Sequence, residues 1–139
     1  MLCIHNTHTD AWFNLAAEEY LLKNFSEDIF MLWQNEPAVV IGKYQNIRAE
    51  TDIEYARQKR IRLARRYSGG GAVYHDMGNL NLTFIENSNQ IRSSVFTESI
   101  IRFLEHYGLH ARSDERQGLT IDGLKISGSA QAIHKRRML

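Results

Sequence analysis

Three consecutive glycines, Gly69, Gly70 and Gly71, lie between two stretches of extended character and constrain this chain more than any other feature. A run without Cβ atoms loses the most conformational freedom on folding, so a compensating gain elsewhere is expected. One gain is steric: such a backbone can approach a ligand closely and aim successive N–H groups at an anion. Arg65 and Arg66 stand just before the run, and Ser68 opens it. The planar fork of Arg66 suits a carboxylate or a phosphate. A bulge or an open loop between strands is the plainer reading, and for three glycines alone it is the commoner one. The arginines and the hydroxyl bring the two readings level. No Gly-Lys-Ser or Gly-Lys-Thr follows, so this is not a Walker loop, and the glycine spacing is not that of a dinucleotide fold.

Local pattern supplies the flanking elements. Leu2–Asn6 reads as a short strand. Asp10 can cap a helix over Ala11–Phe25, with Phe13, Ala16, Ala17, Tyr20 and Leu21 as an apolar stripe at helical spacing. Ile29–Trp33 and Ala38–Ile41 read as strands parted by the turn Asn35-Glu36-Pro37. Thr51-Asp52-Ile53-Glu54 matches a capping box that opens a short helix ending near Lys59, and the strand Ile61–Arg65 follows. Leu80–Ile85 is a further extended stretch. Val95–Tyr107 reads as an amphipathic helix whose Phe96, Ile100, Phe103, Leu104 and Tyr107 share a face, ended by Gly108.

Asp122-Gly123 suits a two-residue type I′ turn, since both positions need positive φ. In that register Ile121 faces Leu124, Thr120 faces Lys125 and Leu119 faces Ile126. The apolar pairs then share one sheet face and Lys125 takes the other. An exposed edge lysine is the common state. The small residues Ser127, Gly128, Ser129 and Ala130 that follow, however, leave room beside it for a ligand whose charge its ammonium could neutralise. His75 adjoins Asp76, but neighbours on a strand point to opposite faces, so His75 reads as structural. His5 and His8 are weak as a metal pair.

The 139 residues are enough for one domain with a hydrophobic core, and the net charge of +1 gives no reason to expect a nucleic-acid partner. The basic cluster Arg57, Lys59, Arg60, Arg62, Arg65 and Arg66 begins as a solvated helix end. A lone cysteine, Cys3, leaves no disulfide framework or multi-cysteine zinc site and suggests a reducing compartment. Asp10, Glu18 and Glu19 interrupt any signal-peptide pattern, and no stretch is apolar enough to span a bilayer. A cytoplasmic protein is expected, or a mitochondrial-matrix one in a eukaryote.

Arg65–Asp76 resembles the signature Arg-Arg-x-Ser/Thr-Gly-Gly-Gly-Ala-Val-x-His-Asp of lipoate–protein ligases. Lys125–Ala130 is similar to that family's lysine motif. Trp12–Ala16 with Glu18 and Glu19, Leu32–Asn35, and Val39–Gly42 with Gln45 and Asn46 follow in the family's order, over nearly the whole chain. The resemblance implies a biotin/lipoate ligase-like fold, mixed α/β (α+β), with a largely antiparallel sheet flanked by helices. It implies ATP-dependent activation of lipoate or octanoate to the acyl-adenylate. The acyl group then passes to a lysine of the lipoyl domains of 2-oxoacid dehydrogenase E2 subunits or of the glycine-cleavage H protein. Arg66, Gly71, Ala72, Val73, Tyr74 and Lys125 would line the ATP and adenylate site, with Lys125 as the catalytic group. Leu15, Trp33, Val40, Ser68, Gly69, Gly70, His75, Lys125, Gly128 and Ala130 would shape the lipoate pocket.

Two departures stand out. The family's Arg-Asn-Asp, whose aspartate helps to hold Mg2+, is Arg116-Gln117-Gly118 here, leaving Asp114, Glu115 or Asp122 as candidate replacements and the metal ligands unassigned. Family members also continue past the lysine motif. The expectation is therefore a single incomplete catalytic domain over residues 1–139, with a missing C-terminal portion or subunit. The alternatives are an ATP-independent octanoyl or lipoyl transferase of the same superfamily and a non-catalytic module that binds the acyl group or the lipoyl domain.

Overall fold

The computed structural model describes residues 1–87, 93–114 and 118–139. In chain order they form β1 (Leu2–His5), α1 (Ala11–Asn24), β2 (Ile29–Trp33), β3 (Ala38–Ile41), α2 (Ile47–Glu50), α3 (Ile53–Gln58), β4 (Arg62–Arg65), β5 (Val73–His75) and β6 (Asn81–Asn87). These are followed by α4 (Ser93–His106), β7 (Ala111–Ser113), β8 (Leu119–Ile121), β9 (Leu124–Lys125), β10 (Ile133–His134) and β11 (Arg137–Met138). The chain divides into two compact units, Met1–Asn89 with Gln131–Leu139, and Gln90–Ala130. The sheets are mixed and mostly antiparallel, with parallel pairing only of β1 with β2 and of β3 with β4 among the described residues. No helix among the described residues is long and apolar enough to cross a membrane.

The first unit holds a five-stranded sheet ordered β1-β2-β6-β11-β10 and a three-stranded sheet ordered β4-β3-β5. Along β2 the period of two buries Ile29, Met31 and Trp33 and turns Phe30 and Leu32 to the other face. Antiparallel pairing with β6 sets Ile29 against Ile85 and Phe30 against Phe84. One cluster joins Leu15, Leu21 and Leu22 of α1 to Ile29, Met31, Trp33, Val40, Ala64 and Ile85. Each large aliphatic member contributes roughly 1.5–3 kcal/mol by leaving water.

Helix α1 starts where Asp10 accepts a hydrogen bond from the Phe13 N–H, as its sequence predicts. Its buried stripe is not the expected one. Ala11, Asn14, Leu15, Leu21 and Leu22 face inward, whereas Phe13, Ala16 and Tyr20 are exposed. The inward face carries the polar Asn14, so apolar spacing alone points to the wrong side. Asp10 also pairs with Arg62, and the Trp12 indole N–H reaches the Leu63 carbonyl at 2.9 Å, tying α1 to β4.

Asp52, not Thr51, caps α3, accepting from the Tyr55 N–H at 2.9 Å. Thr51 instead closes α2, a single turn that the sequence pattern does not predict, its hydroxyl donating to the Ile47 carbonyl. The strands β7, β10 and β11 were also unexpected, being only two or three residues long.

In the second unit α4 packs on a three-stranded sheet ordered β7-β8-β9. Phe96, Ile100 and Leu104 are part-buried, while Phe103 and Tyr107 are exposed and pair with each other at 5.1 Å between ring centroids. The expected five-residue face is thus narrower by two. The β8–β9 hairpin has the expected register, Thr120 against Lys125 and Ile121 against Leu124. Asp122 and Gly123 take φ values of 50° and 78°. Its apolar face is uneven: Leu119 is buried, but Leu124 and Ile126 are exposed.

Candidate functional site

The glycine turn in the first unit is built around Arg66. Its backbone N–H continues the β4 ladder to the Ile41 carbonyl at 3.0 Å. Its guanidinium donates to the carbonyls of Gly69 at 2.7 Å, Gly71 at 2.8 Å and Val40 at 3.1 Å. Burial lowers its pKa, while the nearby Glu18 carboxylate works in the opposite direction. The fork expected to face a carboxylate or phosphate is therefore engaged by the turn's own carbonyls. A guanidinium has five N–H groups, and these bonds with the Nε–H to Gly69 at 3.2 Å use most of them. Arg65 points the other way, its Nη1 donating to the carbonyls of Gly42, Lys43 and Gln45.

The glycines differ in what requires them. Gly70 adopts φ +95°, a left-handed conformation that favours glycine. A Cβ on Gly42 would lie 2.0 Å from the Gly70 carbonyl oxygen, so two backbones meet there. Gly69 and Gly71 have neither constraint: no heavy atom lies within 4 Å of where their Cβ atoms would be, and neither φ is left-handed. Packing within the described residues gives no reason for glycine at these two positions, and close approach of a ligand would.

A buried amide chain positions His75. Asn6 donates to Asn14 at 2.8 Å, Asn14 to the Asn35 side-chain oxygen at 2.9 Å, and the Asn35 amide nitrogen lies 3.1 Å from His75 Nδ1. Because the Asn35 oxygen is occupied by Asn14, its nitrogen faces the ring, which makes His75 Nδ1 the acceptor and places the proton on Nε2. Burial, then the Arg66 charge, lowers the His75 pKa, so the ring is neutral near pH 7. Asn14 also bonds the His8 and Gln34 carbonyls. Asn14→Leu is expected to lower stability by about 2–4 kcal/mol, because a buried amide loses all its bonds together and leaves the buried Asn35 without its partner; denaturant titration reads this.

Trp33 anchors a second chain. Its indole N–H donates to Thr83 Oγ1 at 2.8 Å, and the Thr83 hydroxyl donates to Glu18. Burial pushes the Glu18 carboxyl from 4.5 up to about 7, against the Thr83 hydrogen bond and the Arg66 charge, both of which lower it. The folded protein then holds this proton more tightly than the unfolded chain does. Stability falls as pH rises through the window from 4.5 to about 7. Glu18 is part-buried as a whole residue, so the loss is at most about 3 kcal/mol. Urea denaturation on either side of that window should show parent stability dropping relative to Glu18→Gln; equal pH profiles would remove Glu18 from this role. In sequence Glu18 is marked only by its place in the Trp12–Glu19 stretch that resembles the family and by its seven-residue offset from Ala11 on the buried helix face.

The other expected residues fall in different settings. Leu15, Trp33 and Val40 lie together in the core cluster, and Ser68 is buried, its carbonyl accepting from the Lys43 N–H at 2.9 Å. Val73 and Tyr74 are exposed on β5, Ala72 is part-buried, and His75 packs edge-on to Trp33 at 6.3 Å. A cleft of about 170 Å³ is lined by His5, His8, Trp33, Gln34 and Met77 among others, so Trp33 is the one expected residue on its wall.

Lys125, Gly128 and Ala130 belong to the second unit. Lys125 is exposed on β9, with Nζ 3.6 Å from Asp114 Oδ2. Asp114 Oδ1 accepts the Gly118 N–H at 2.7 Å, and a Cβ on Gly118 would lie 2.7 Å from Asp114 Oδ2. The Asp114 carboxylate therefore occupies the space that a side chain at position 118 would enter. Of the candidate replacements, Asp122 sits at the hairpin tip, while Glu115, like Arg116 and Gln117, lies outside the described residues. No group of three or more His, Cys, Asp or Glu side chains able to hold a metal ion occurs among the described residues. One carboxylate beside a lysine fits Mg2+ that takes its remaining ligands from phosphates and water. Gly128 resembles Gly69 and Gly71 in having open space where a Cβ would stand.

Residues 10–139 match the family described as the lipoyl protein ligase A/B catalytic domain. The chain is 41% identical to lipoate–protein ligase 1 of Staphylococcus aureus over 96% of its own length and 42% of that protein. It is 40% identical to lipoate-protein ligase LplJ of Bacillus subtilis, over 99% of its length and 44% of the relative. It thus spans less than half of these curated relatives. Among solved structures, the Plasmodium falciparum LipL1 complex with lipoate superposes with a TM-score of 0.92 at 33% identity, covering 99% of this chain and 45% of that one. A lipoate-protein ligase A bound with ATP superposes at 0.89 with 28% identity, covering 99% and 62%. The bipartite ligase of Thermoplasma acidophilum, described with its E2 lipoyl domain, superposes at 0.90 with 31% identity, covering 99% and 58%.

Proposed function

Because this chain belongs to the lipoyl protein ligase A/B catalytic-domain family, we propose that it contributes the activating site of an ATP-dependent lipoate ligase. The observation that carries this reading is the glycine turn, where Gly69 and Gly71 have no packing reason to lack side chains and flank the Arg66 guanidinium. Relatives bound to lipoate and to ATP supply the substrate classes. Residues 1–139 would supply part of a catalytic domain, since they span less than half of the curated relatives.

In the first step a lipoate carboxylate oxygen attacks the α-phosphorus of ATP. The bond to the bridging oxygen breaks and pyrophosphate leaves. In the second, a lysine amine of a lipoyl domain attacks the acyl carbonyl, the bond to the adenylate oxygen breaks, and the amine gives up a proton as AMP departs. Charge develops on oxygens in both steps, which fixed donors stabilise. Lys125 would bind the acyl oxygen and phosphate. The backbone at Gly71–Tyr74, which runs into the edge strand β5, would receive the adenylate, and Arg66, by holding the carbonyls of Gly69 and Gly71, would keep this backbone in shape. Within the first unit Trp33, His75, Gly69 and Gly70 would border the acyl chain, with Leu15, Val40 and Ser68 also contributing; Gly128 and Ala130 of the second unit are lipoate-binding candidates by motif match alone. Asp114 would hold Mg2+, which supplies charge neutralisation at the phosphates.

Lipoate-dependent exchange of labelled pyrophosphate into ATP tests this. Exchange by the intact protein is the expected result. Lipoate binding without exchange would favour a non-catalytic module, and acyl transfer without ATP would favour a transferase.

A further inference from the structure

The geometry points to a docking surface for an acidic face of the acceptor domain, formed by Lys23, Lys43, Tyr44 and Tyr67 beside the glycine turn. This rests on the ligase reading above but concerns a surface that the chemistry does not use.

The loop from Gly42 to Asn46 is rigidly held. Arg65 binds the carbonyls of Gly42, Lys43 and Gln45, the Gln45 side chain accepts the Gly42 N–H at 2.8 Å, and the Lys43 N–H is bonded to the Ser68 carbonyl. Gly42 is also wedged against Gly70. A loop tied down on so many sides nevertheless turns Tyr44 outward with 84% of its surface exposed. Rigid exposed tyrosines are characteristic anchors of protein interfaces, since little side-chain entropy is lost when they are covered.

Charge is concentrated at the same place. Lys43 Nζ lies 4.3 Å from the Tyr67 ring centroid and 5.5 Å from that of Tyr44, and Lys23 Nζ lies 4.8 Å from Tyr67. Glu19 pairs with Lys23, but no ion pair to Lys43 occurs among the described residues. His134 Nδ1 lies 3.5 Å from the Tyr67 hydroxyl, and the exposed Lys135 and Arg136 follow it in the β10–β11 turn. Lys23 and Lys43 thus both bring an ammonium to the Tyr67 ring. Tyr67 and Ser68 lead directly into the glycine turn, so a partner seated here would border the site of acyl transfer.

A phosphate would call for converging N–H groups, whereas the Lys43 N–H is already bonded and both ammonium groups lie against aromatic rings. A carboxylate-bearing protein surface fits better.

The test titrates a lipoyl domain against the intact protein and the Lys23→Glu/Lys43→Glu double variant, measuring binding directly, acyl transfer, and lipoate-dependent pyrophosphate exchange. The double variant should bind the domain about tenfold or more weakly and raise the transfer KM to match, with exchange unchanged. Added salt should weaken the parent more than the variant. Tyr44→Ala, which removes only an exposed ring, should weaken binding in the same direction and guards against misfolding of the double variant. Unchanged binding in both variants overturns the proposal. So does a raised KM for ATP in the exchange reaction, which would assign the lysines to nucleotide phosphate. If the parent shows no exchange yet binds the domain more tightly than both variants, docking stands and the ligase reading fails.

Discussion

Lys125→Ala is expected to lower the rate of lipoyl-adenylate formation by roughly 10²–10³-fold, the usual loss when one fixed donor to a developing oxyanion is removed. The fold should hardly notice. Lys125 is exposed, its recorded ion pair is the 3.6 Å approach to Asp114, and exposed pairs of this kind contribute about 0–1 kcal/mol. The hairpin is specified by Asp122 and Gly123 at positive φ and by backbone pairing, none of which involves the lysine side chain. Thermal unfolding should therefore coincide with the parent while single-turnover adenylation collapses. Parent-rate adenylation by a folded Lys125→Ala protein would show that this amine has no part in the chemistry.

The second large effect separates structural from functional glycines. In Gly42→Ala the new Cβ would sit 2.0 Å from the Gly70 carbonyl oxygen, well inside van der Waals contact and against backbone on both sides. The turn must then move, and since Arg66 is bonded to Gly69 and Gly71, Arg66 must move with it. A loss of about 3 kcal/mol or more is expected, read as a lowered denaturant midpoint. Gly69→Ala and Gly71→Ala meet open space and should leave stability near the parent value, with a small gain of about 0.4–1 kcal/mol if the unfolded chain stiffens. Their effect should fall on the ATP KM and the adenylation rate instead. If both the Gly69→Ala and Gly71→Ala variants keep full activity, no ligand approaches the turn closely and the proposed function loses its main support.

Much of the architecture is legible in the sequence. Asp10 as a cap, the strands at residues 29–33 and 38–41, and the register of the β8–β9 hairpin follow from short-range rules that tertiary context did not override. The errors have a common origin. On α1 three of the five residues of the expected stripe, Phe13, Ala16 and Tyr20, are exposed and only Leu21 is buried, because the helix turns Asn14 inward, where neighbouring loops satisfy its amide. A hydropathy pattern counts a polar residue against burial, yet a fully bonded amide is stable inside. Capping moved from Thr51 to Asp52 because α2 uses the Thr51 hydroxyl at its own end.

The sequence by itself determined the turn chemistry, the order of the main elements and the motifs that mark the family, because these depend on residues close together in the chain. Only the tertiary structure decided what each group is paired with. It turned Arg66 onto the carbonyls of its own turn, brought Thr83 to Glu18 across 65 positions, and set Asp114 where a side chain at 118 would be. Hydrogen bonding and desolvation act over a few ångströms regardless of separation along the chain, so proximity in space had to be known before those partners could be named.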